Sequence, residues 1–358
     1  MIPRSRACRS PRRRRLSMPP KREFSGTASS DSLWTIVLAA GEGRRLCSLT
    51  RALHGEDLPK QYALIRSQRS LLQETVSRAI QWSAPSRIVV VVAADRENIA
   101  REQLRSHDGL DVVVQPRNRG TGAGILLPLA RVLAKEPNAQ VVILPSDHYV
   151  REEYTFAESV LRAQRTAQAS NSVVLLAATP DRAETQYGWI VPDRSAAVAG
   201  AFRVARFHEK PPAALARSLY LRGALWNTFI MTGTVSRFWE LARHHLPLQS
   251  ALFTPYCRHI GTEREAAFLQ EIYERLVPAD FSRDVIEKAD GLGVETLGPC
   301  GWSDWGTPER VLHSLQGTRE WAELMAKLVG RLPLDAGRAL PAEIRHFECE
   351  PEEDLVVV

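Results

Sequence analysis

Trp34-Thr35-Ile36-Val37-Leu38-Ala39-Ala40-Gly41-Glu42-Gly43-Arg44-Arg45-Leu46 decides how this 358-residue chain is read. A short apolar run, Ile36 to Ala40, opens straight into a turn with two glycines and two arginines, and Pro59-Lys60 follows soon after. A buried strand delivers a phosphate-binding turn to the edge of an α/β sheet in this way. Gly41 and Gly43 let the backbone approach a phosphate closely and turn its N–H groups inward. Arg44, Arg45 and Lys60 add the positive charge that a triphosphate needs. Two familiar loops are excluded. A Walker loop ends in Gly-Lys-Ser/Thr, which Arg44-Arg45-Leu46 is not, and a dinucleotide fingerprint needs a third glycine where Leu46 stands.

Outward from this turn, apolar runs alternate with helical patterns. Strands are expected at Thr35–Ala40, Arg87–Ala93, Asp111–Val114, Val141–Pro145, Ser172–Ala178 and Ala201–Phe207. Helices are expected at Leu71–Trp82, Arg96–Ser106, Gly122–Ala134 and Thr155–Ala169. Nearly continuous Val/Ile/Leu strands separated by amphipathic helices imply an open, mostly parallel, Rossmann-like α/β sheet with helices on both faces. Such sheets bind ligands at the carboxyl ends of their strands. Beyond residue 180 the alternation fades. Gly188 to Pro192 reads as a short strand, Leu225 to Thr232 as another apolar stretch, and a helical region runs to about Leu276. Thr307-Pro308-Glu309 starts a last helix that reaches about Leu328, with Thr307 as its cap and Pro308 in the first position.

Composition bounds the rest. The apolar fraction of 44% allows a sizeable core, and no apolar run reaches the roughly 18 residues of a membrane helix. Nine of the 47 Lys and Arg residues lie within the first 22 positions, leaving 38 against 41 acidic residues. The folded part therefore has no basic signature of nucleic-acid binding. Residues 1–32 read as a basic disordered tail, 33–330 as one domain and 331–358 as an acidic tail. The first of these tails lacks the apolar segment of a secretory signal, and a start at Met18 is a competing reading. A transit peptide and a basic arm for anionic partners are further alternatives. Five scattered cysteines suggest reduced thiols in a cytoplasmic protein, with neither a disulfide framework nor a zinc site.

Several residues could carry chemistry. Asp147 follows the strand ending at Leu144-Pro145, and Asp304 sits between Trp302 and Trp305. If the fold brings both to one rim, they form a two-carboxylate site for Mg²⁺. Taken singly, each is equally at home as a turn residue. His148 shapes its loop more readily than it binds Mg²⁺, which prefers oxygen. Lys210 precedes Pro211, which predicts an extended backbone pointing its side chain off a strand end. It could neutralise a phosphate, while Glu209 accepts hydrogen bonds from sugar hydroxyls; a solvated ion pair is the other reading. Trp226-Asn227 and Gln186-Tyr187-Gly188-Trp189 supply groups that line sugar pockets, although aromatic clusters also belong in cores.

Taken in order, Ala-Gly-Glu-Gly-Arg-Arg-Leu, Leu-Pro-Lys-Gln-Tyr, Leu-Leu-Gln-Glu-Thr, Leu-Pro-Ser-Asp-His, Tyr-Gly-Trp-Ile, His-Glu-Lys-Pro, Leu-Trp-Asn and Gly-Trp-Ser-Asp-Trp-Gly resemble the mannose-1-phosphate guanylyltransferases. The resemblance spans about residues 34 to 310. It implies transfer of GMP from GTP to mannose 1-phosphate with release of pyrophosphate, with Mg²⁺ as cofactor. It implies Gly41, Gly43 and Arg44 on the nucleotide with Arg117 and Asn118, and Arg45, Lys60 and Lys210 at the reacting phosphates. Asp147 and Asp304 would hold the metal, and Tyr187, Gly188, Glu209 and Asn227 the sugar phosphate. A homodimer is compatible with this reading. The sequence also departs from the family. An extra stretch occupies Ala52–Asp57, and the family's Arg-Asn-Thr-Ala-Pro segment stands here as Arg117-Asn118-Arg119-Gly120-Thr121-Gly122, which bears on the base. The residues after Gly306 are too few for a cupin-like isomerase domain. Alternatives are a uridylyl-, thymidylyl- or cytidylyltransferase, the last because Leu58-Pro59-Lys60-Gln61-Tyr62 also resembles methylerythritol cytidylyltransferases. A catalytically silent nucleotide-sugar sensor is the alternative from another class.

Overall fold

Residues 33–198 and 200–330 are described by the computed structural model. The tails expected at 1–32 and 331–358 lie outside them. The apolar run before the glycine turn forms β1 (Leu33–Ala39), and α1 (Cys47–His54) and α2 (Leu71–Ala79) follow. The chain continues through β2 (Ile88–Ala93), α3 (Glu97–Leu104), β3 (Asp111–Gln115), α4 (Gly120–Lys135), β4 (Gln140–Pro145), α5 (Glu153–Ser170) and β5 (Val174–Ala178). Then come β6 (Trp189–Val198), β7 (Ala201–His208), α6 (Ala213–Leu221), β8 (Leu225–Thr234), α7 (Val235–His245), α8 (Pro247–Phe253) and α9 (Glu265–Arg275). β9 (Gly293–Thr296), α10 (Pro308–Leu315) and α11 (Arg319–Gly330) complete the order.

The expected helices on both faces are present. Along β2, Val90 and Val92 enter one core with Leu72, Val76 and Val160, while Val89 and Val91 enter another with Ile125, Leu126, Leu129 and Phe238. A strand buried on both sides needs this unbroken valine run. Ser70 opens α2 with a capping box that Gln73 completes. Thr307 caps α10 by accepting from Arg310 N, as its position predicts. The single last helix is corrected to two: the chain turns at Gly317, with φ of 73°, between α10 and α11.

The open, mostly parallel sheet also needs correction. Strand order is β3-β2-β1-β4-β8-β5-β9-β7-β6, and β6 pairs back onto β8. β3, β2, β1 and β4 are parallel to one another, whereas β8 is antiparallel to β4, β5 and β6. Strands β8, β5, β9, β7 and β6 thus close into a ring of five. The closure has a local cause. The register of β8 against β5 shifts between Leu176 and Ala177, and Phe229 takes a φ of 59° there. Such a bulge bends the strand and lets one end serve a different neighbour. β7 is buried only at Ala201 and Phe207 and half-buried or exposed between them, unlike the fully buried strands of the parallel half. Among the described residues no helix is long and apolar enough to cross a membrane.

Candidate active site

The glycine turn is held from below by two side chains that the sequence motifs leave unassigned. Gln61 Nε2 donates to the carbonyls of Ala39 (3.1 Å) and Gly41 (2.6 Å), and Tyr62 Oη donates to Ala39 O (2.9 Å). Gly43 has a φ of 59°, and a Cβ there would lie 2.8 Å from Lys60 N. The glycine is therefore required where the turn crosses Pro59-Lys60. Gly41 has open space around its Cβ position, so packing does not require it. Arg44 is exposed and pairs with Glu42 (2.8 Å). A cavity of about 630 Å³ brings Gly41 and Arg44 together with Arg117 and Asn118, and adds Arg96. Asn118 is fixed by donating to Glu42 Oε1 (3.2 Å) and accepting from Gly120 N (2.9 Å).

An adjoining cavity of about 520 Å³ shares Gly41, Gln115 and Asn118 and is closed by Pro278 to Asp284. That segment docks on the start of α4 through Gly122 N to Ala279 O (2.9 Å) and Phe281 N to Thr121 Oγ1 (2.7 Å). Gln115 ends β3, is 4% exposed, and its side chain lines both cavities.

The two distant aspartates do meet. Tyr149 and Ser303 form an antiparallel bridge (2.9 and 3.1 Å) that ties their two loops, and Tyr149 stacks on Trp305. Lys60 is buried between them. Its Nζ lies 3.0 Å from Asp147 Oδ2 and donates to the carbonyls of Asp304 and, at 3.3 Å, Trp305. Burial alone would raise the Asp147 carboxyl, but the Lys60 ammonium beside it holds it below the ordinary range. Asp304 Oδ1 accepts from Tyr187 Oη (2.6 Å), Gly306 N (2.9 Å) and Arg310 Nη1 (2.8 Å). Its Oδ2 lies 3.8 Å from Arg45 Nη2. Burial again opposes ionisation, yet Lys60, Arg310 and Tyr187 bring the Asp304 pKa down to about 2. His148 accepts from Trp302 Nε1 (3.2 Å), and burial lowers its pKa to about 4. It is a neutral loop-shaping residue.

The third group gathers at the end of β7. A Cβ on Gly188 would meet Phe207 at 2.7 Å, Glu209 Oε2 at 2.8 Å and Asn227 Cβ at 3.3 Å, so these residues share one wall. Asn227 N donates to Gly188 O (2.8 Å). Burial raises the Glu209 carboxyl, opposed by Lys210, whose Nζ is 3.1 Å away. Tyr187 stands beside this wall, but its hydroxyl is committed to Asp304. The extended backbone expected at Lys210 is corrected: its φ is 46°, because the chain reverses from β7 into α6 within Glu209 to Pro212. A non-glycine residue in that region stores strain of about 1–3 kcal/mol, which the surrounding structure must hold. Among the described residues no three His, Cys, Asp or Glu side chains converge as a metal site.

A glycine turn, two aspartates joined through a buried lysine and a polar wall thus lie near one another. The family profile described as Nucleotidyl transferase matches residues 34–320. The chain belongs to that family. It is 32% identical over 213 residues to a mannose-1-phosphate guanylyltransferase of Salmonella montevideo, covering 57% of this chain and 44% of the relative. It is 28% identical over 286 residues to that of Escherichia coli, covering 77% and 60%. The chain spans about half the length of these curated relatives. A solved structure from Thermus thermophilus, described as a mannose-1-phosphate geranyltransferase, superposes with a TM-score of 0.68 at 28% identity, covering 80% of this chain and 79% of that one.

Arg310, Glu184, Gln61 and Gln115 are the site residues that sequence reasoning passes over. Gln61 lies inside the Leu-Pro-Lys-Gln-Tyr motif and could be found there. Arg310 and Glu184 carry no local signal.

Proposed function

We propose that the chain transfers GMP from GTP to mannose 1-phosphate and releases pyrophosphate. The observation that carries the proposal is the meeting of Asp147, Asp304, Lys60 and Arg45 on one rim, between the glycine turn and the Gly188–Glu209–Asn227 wall. In the reaction a sugar-phosphate oxygen attacks the α-phosphorus of GTP in line. A new P–O bond forms as the bond to the β-phosphate oxygen breaks, and the electron pair leaves with pyrophosphate. Both reactants are anions, so the protein's task is to hold them and offset their repulsion. Lys60 and Arg45 offset charge at the reacting phosphorus. Lys210 binds the sugar phosphate, and Glu209 and Asn227 accept and donate to sugar hydroxyls.

The donor set suits Mg²⁺. Asp304 Oδ1 is saturated by three donors, leaving Oδ2, and Asp147 is about a third exposed. Two hard carboxylate oxygens completed by phosphate oxygens and water form the usual magnesium arrangement. Bound there, the ion would neutralise phosphate charge during transfer. In the adjoining cavity Asp280 offers a carboxylate acceptor and Gln115 an amide. A carboxylate there can accept from the N–H donors that guanine presents. Asp280 Oδ1 already accepts from Ser282 N and Arg283 N, which aims the carboxylate.

The test is pyrophosphate release across five nucleoside triphosphates, each with mannose 1-phosphate and glucose 1-phosphate. The expected result is turnover strongest with GTP and mannose 1-phosphate and abolished by EDTA. Preference for another pair would overturn the specificity, and silence with all pairs would overturn the transfer reading in favour of nucleotide-sugar binding without turnover.

A further inference from the structure

We propose that Arg310 is the positioning residue that presents Asp304 to the reacting phosphates. The inference rests on the reading of Asp304 as a metal-holding carboxylate. Arg310 lies in the first turns of α10, and its side chain is 9% exposed. One arm of its guanidinium donates to Asp304 Oδ1 (2.8 Å), and the other donates to Glu184 Oε2. The guanidinium carbon stands 4.5 Å from the centre of the Tyr187 ring, whose hydroxyl donates to the same Oδ1. Glu184 is itself aimed, since it accepts from Gln186 N (2.9 Å).

This arrangement fixes which oxygen of Asp304 is available. Three donors from separate positions converge on Oδ1, so the carboxylate cannot rotate and Oδ2 is left toward Arg45. Residue 306 must be glycine for these groups to fit: a Cβ there would lie 2.5 Å from Asp304 Oδ2, 2.7 Å from Arg310 Nη1 and 2.9 Å from Arg45 Nη1. Arg310 does this from outside the nucleotide cavities. It lines a separate cavity of about 460 Å³ with Glu184, Trp226, Trp302 and His313. The planar fork sets one arm on each carboxylate in a fixed geometry, which the point charge of a lysine on its flexible stem does not reproduce.

The experiment uses Arg310→Lys, Arg310→Gln and Glu184→Gln in the full chain. Turnover with GTP and mannose 1-phosphate is followed against Mg²⁺ concentration. Separately, the rise in melting temperature on adding Mg²⁺ is measured at saturating GTP without sugar phosphate. Both Arg310 variants should raise the Mg²⁺ half-saturation about tenfold to a hundredfold. They should shrink the Mg²⁺-dependent melting shift and leave the KM for GTP at saturating Mg²⁺ within about twofold. Arg310→Lys should retain more than Arg310→Gln. Glu184→Gln keeps both Arg310 and Asp304 and should raise the half-saturation less. It carries the test if the Arg310 variants do not fold, and an unchanged half-saturation in a folded Glu184→Gln enzyme would then overturn the inference. Folded Arg310 variants with wild-type Mg²⁺ half-saturation would also overturn it. A wild-type protein that shows no Mg²⁺ dependence would instead defeat the underlying metal reading.

Discussion

Lys60 shows how one side chain can be both chemical and structural. It is expected at the reacting phosphates, and it also latches Asp147 to the carbonyls of Asp304 and Trp305. Lys60→Ala should therefore lower kcat more than it raises the KM for GTP. It should also cost about 1–3 kcal/mol of stability, because buried acceptors lose their donor. Steady-state kinetics and a denaturant melt on the same variant check both, and an unchanged kcat would move Lys60 to simple ground-state binding. Asp147→Asn and Asp304→Asn should each fold and lose activity by about a hundredfold or more; near-normal pyrophosphate release would exclude that carboxylate. The pH response has a definite sign. In metal-free buffer, stability should fall as pH drops from about 6.5 toward about 4, because unfolded His148 gains a proton that the buried ring resists. Between about 4 and about 2 a second loss follows as Asp304 protonates. His148→Asn should flatten the first phase in thermal melts and leave the second. Asp147, Asp304 and Lys60 are legible in the sequence because each sits in a short motif at a strand or turn end. Arg310 is not, since an arginine within a short helix looks like any solvated charge until tertiary folding buries it.

At the level of elements, the turns and caps carry more information than the strands. Gly120, with a φ of 79°, opens α4 where a Cβ would come within 2.3 Å of Ala279 O. Gly120→Ala should therefore lift the Pro278 to Asp284 segment from the start of α4. The expected cost is about 2 kcal/mol or more, with a raised KM for GTP. A variant that melts and binds like wild type would show that the segment docks without this close approach. From sequence, Arg119-Gly120-Thr121-Gly122 reads as a departure affecting the base. The reason for the glycines lies in a partner some 160 residues away and cannot be read locally. The left-handed Lys210 is hidden for a related reason. Proline restricts its predecessor toward extended conformations in general, but a reversal into α6 overrides that preference here.

Over the whole molecule, the first half is readable as elements and as a sheet, whereas beyond residue 180 elements such as Ala201–His208 and Leu225–Thr234 are readable but their pairing is not. Residues 33–145 follow a strand–helix rhythm whose periodicity reports burial on both faces. The ring of five strands depends on a bulge in β8 and on pairings among strands far apart in sequence. Only the arginine-interrupted run of β7, which is not buried on both faces, hints at it. The ring also has a weak point. Among the described residues it closes through two residue pairs, Trp189 with Trp226 and Ile190 with Leu225, beside the Gly188–Asn227 contact. That seam lies under the wall assigned to the sugar. It can breathe locally while the parallel half stays intact, because little pairing is lost. Amide exchange at Asn227 should therefore run faster than at Val37 or Val91, which lie inside the parallel strands. Release of the sugar end of the product would then require only a gap between two strand ends, and the parallel half would keep its shape through each cycle.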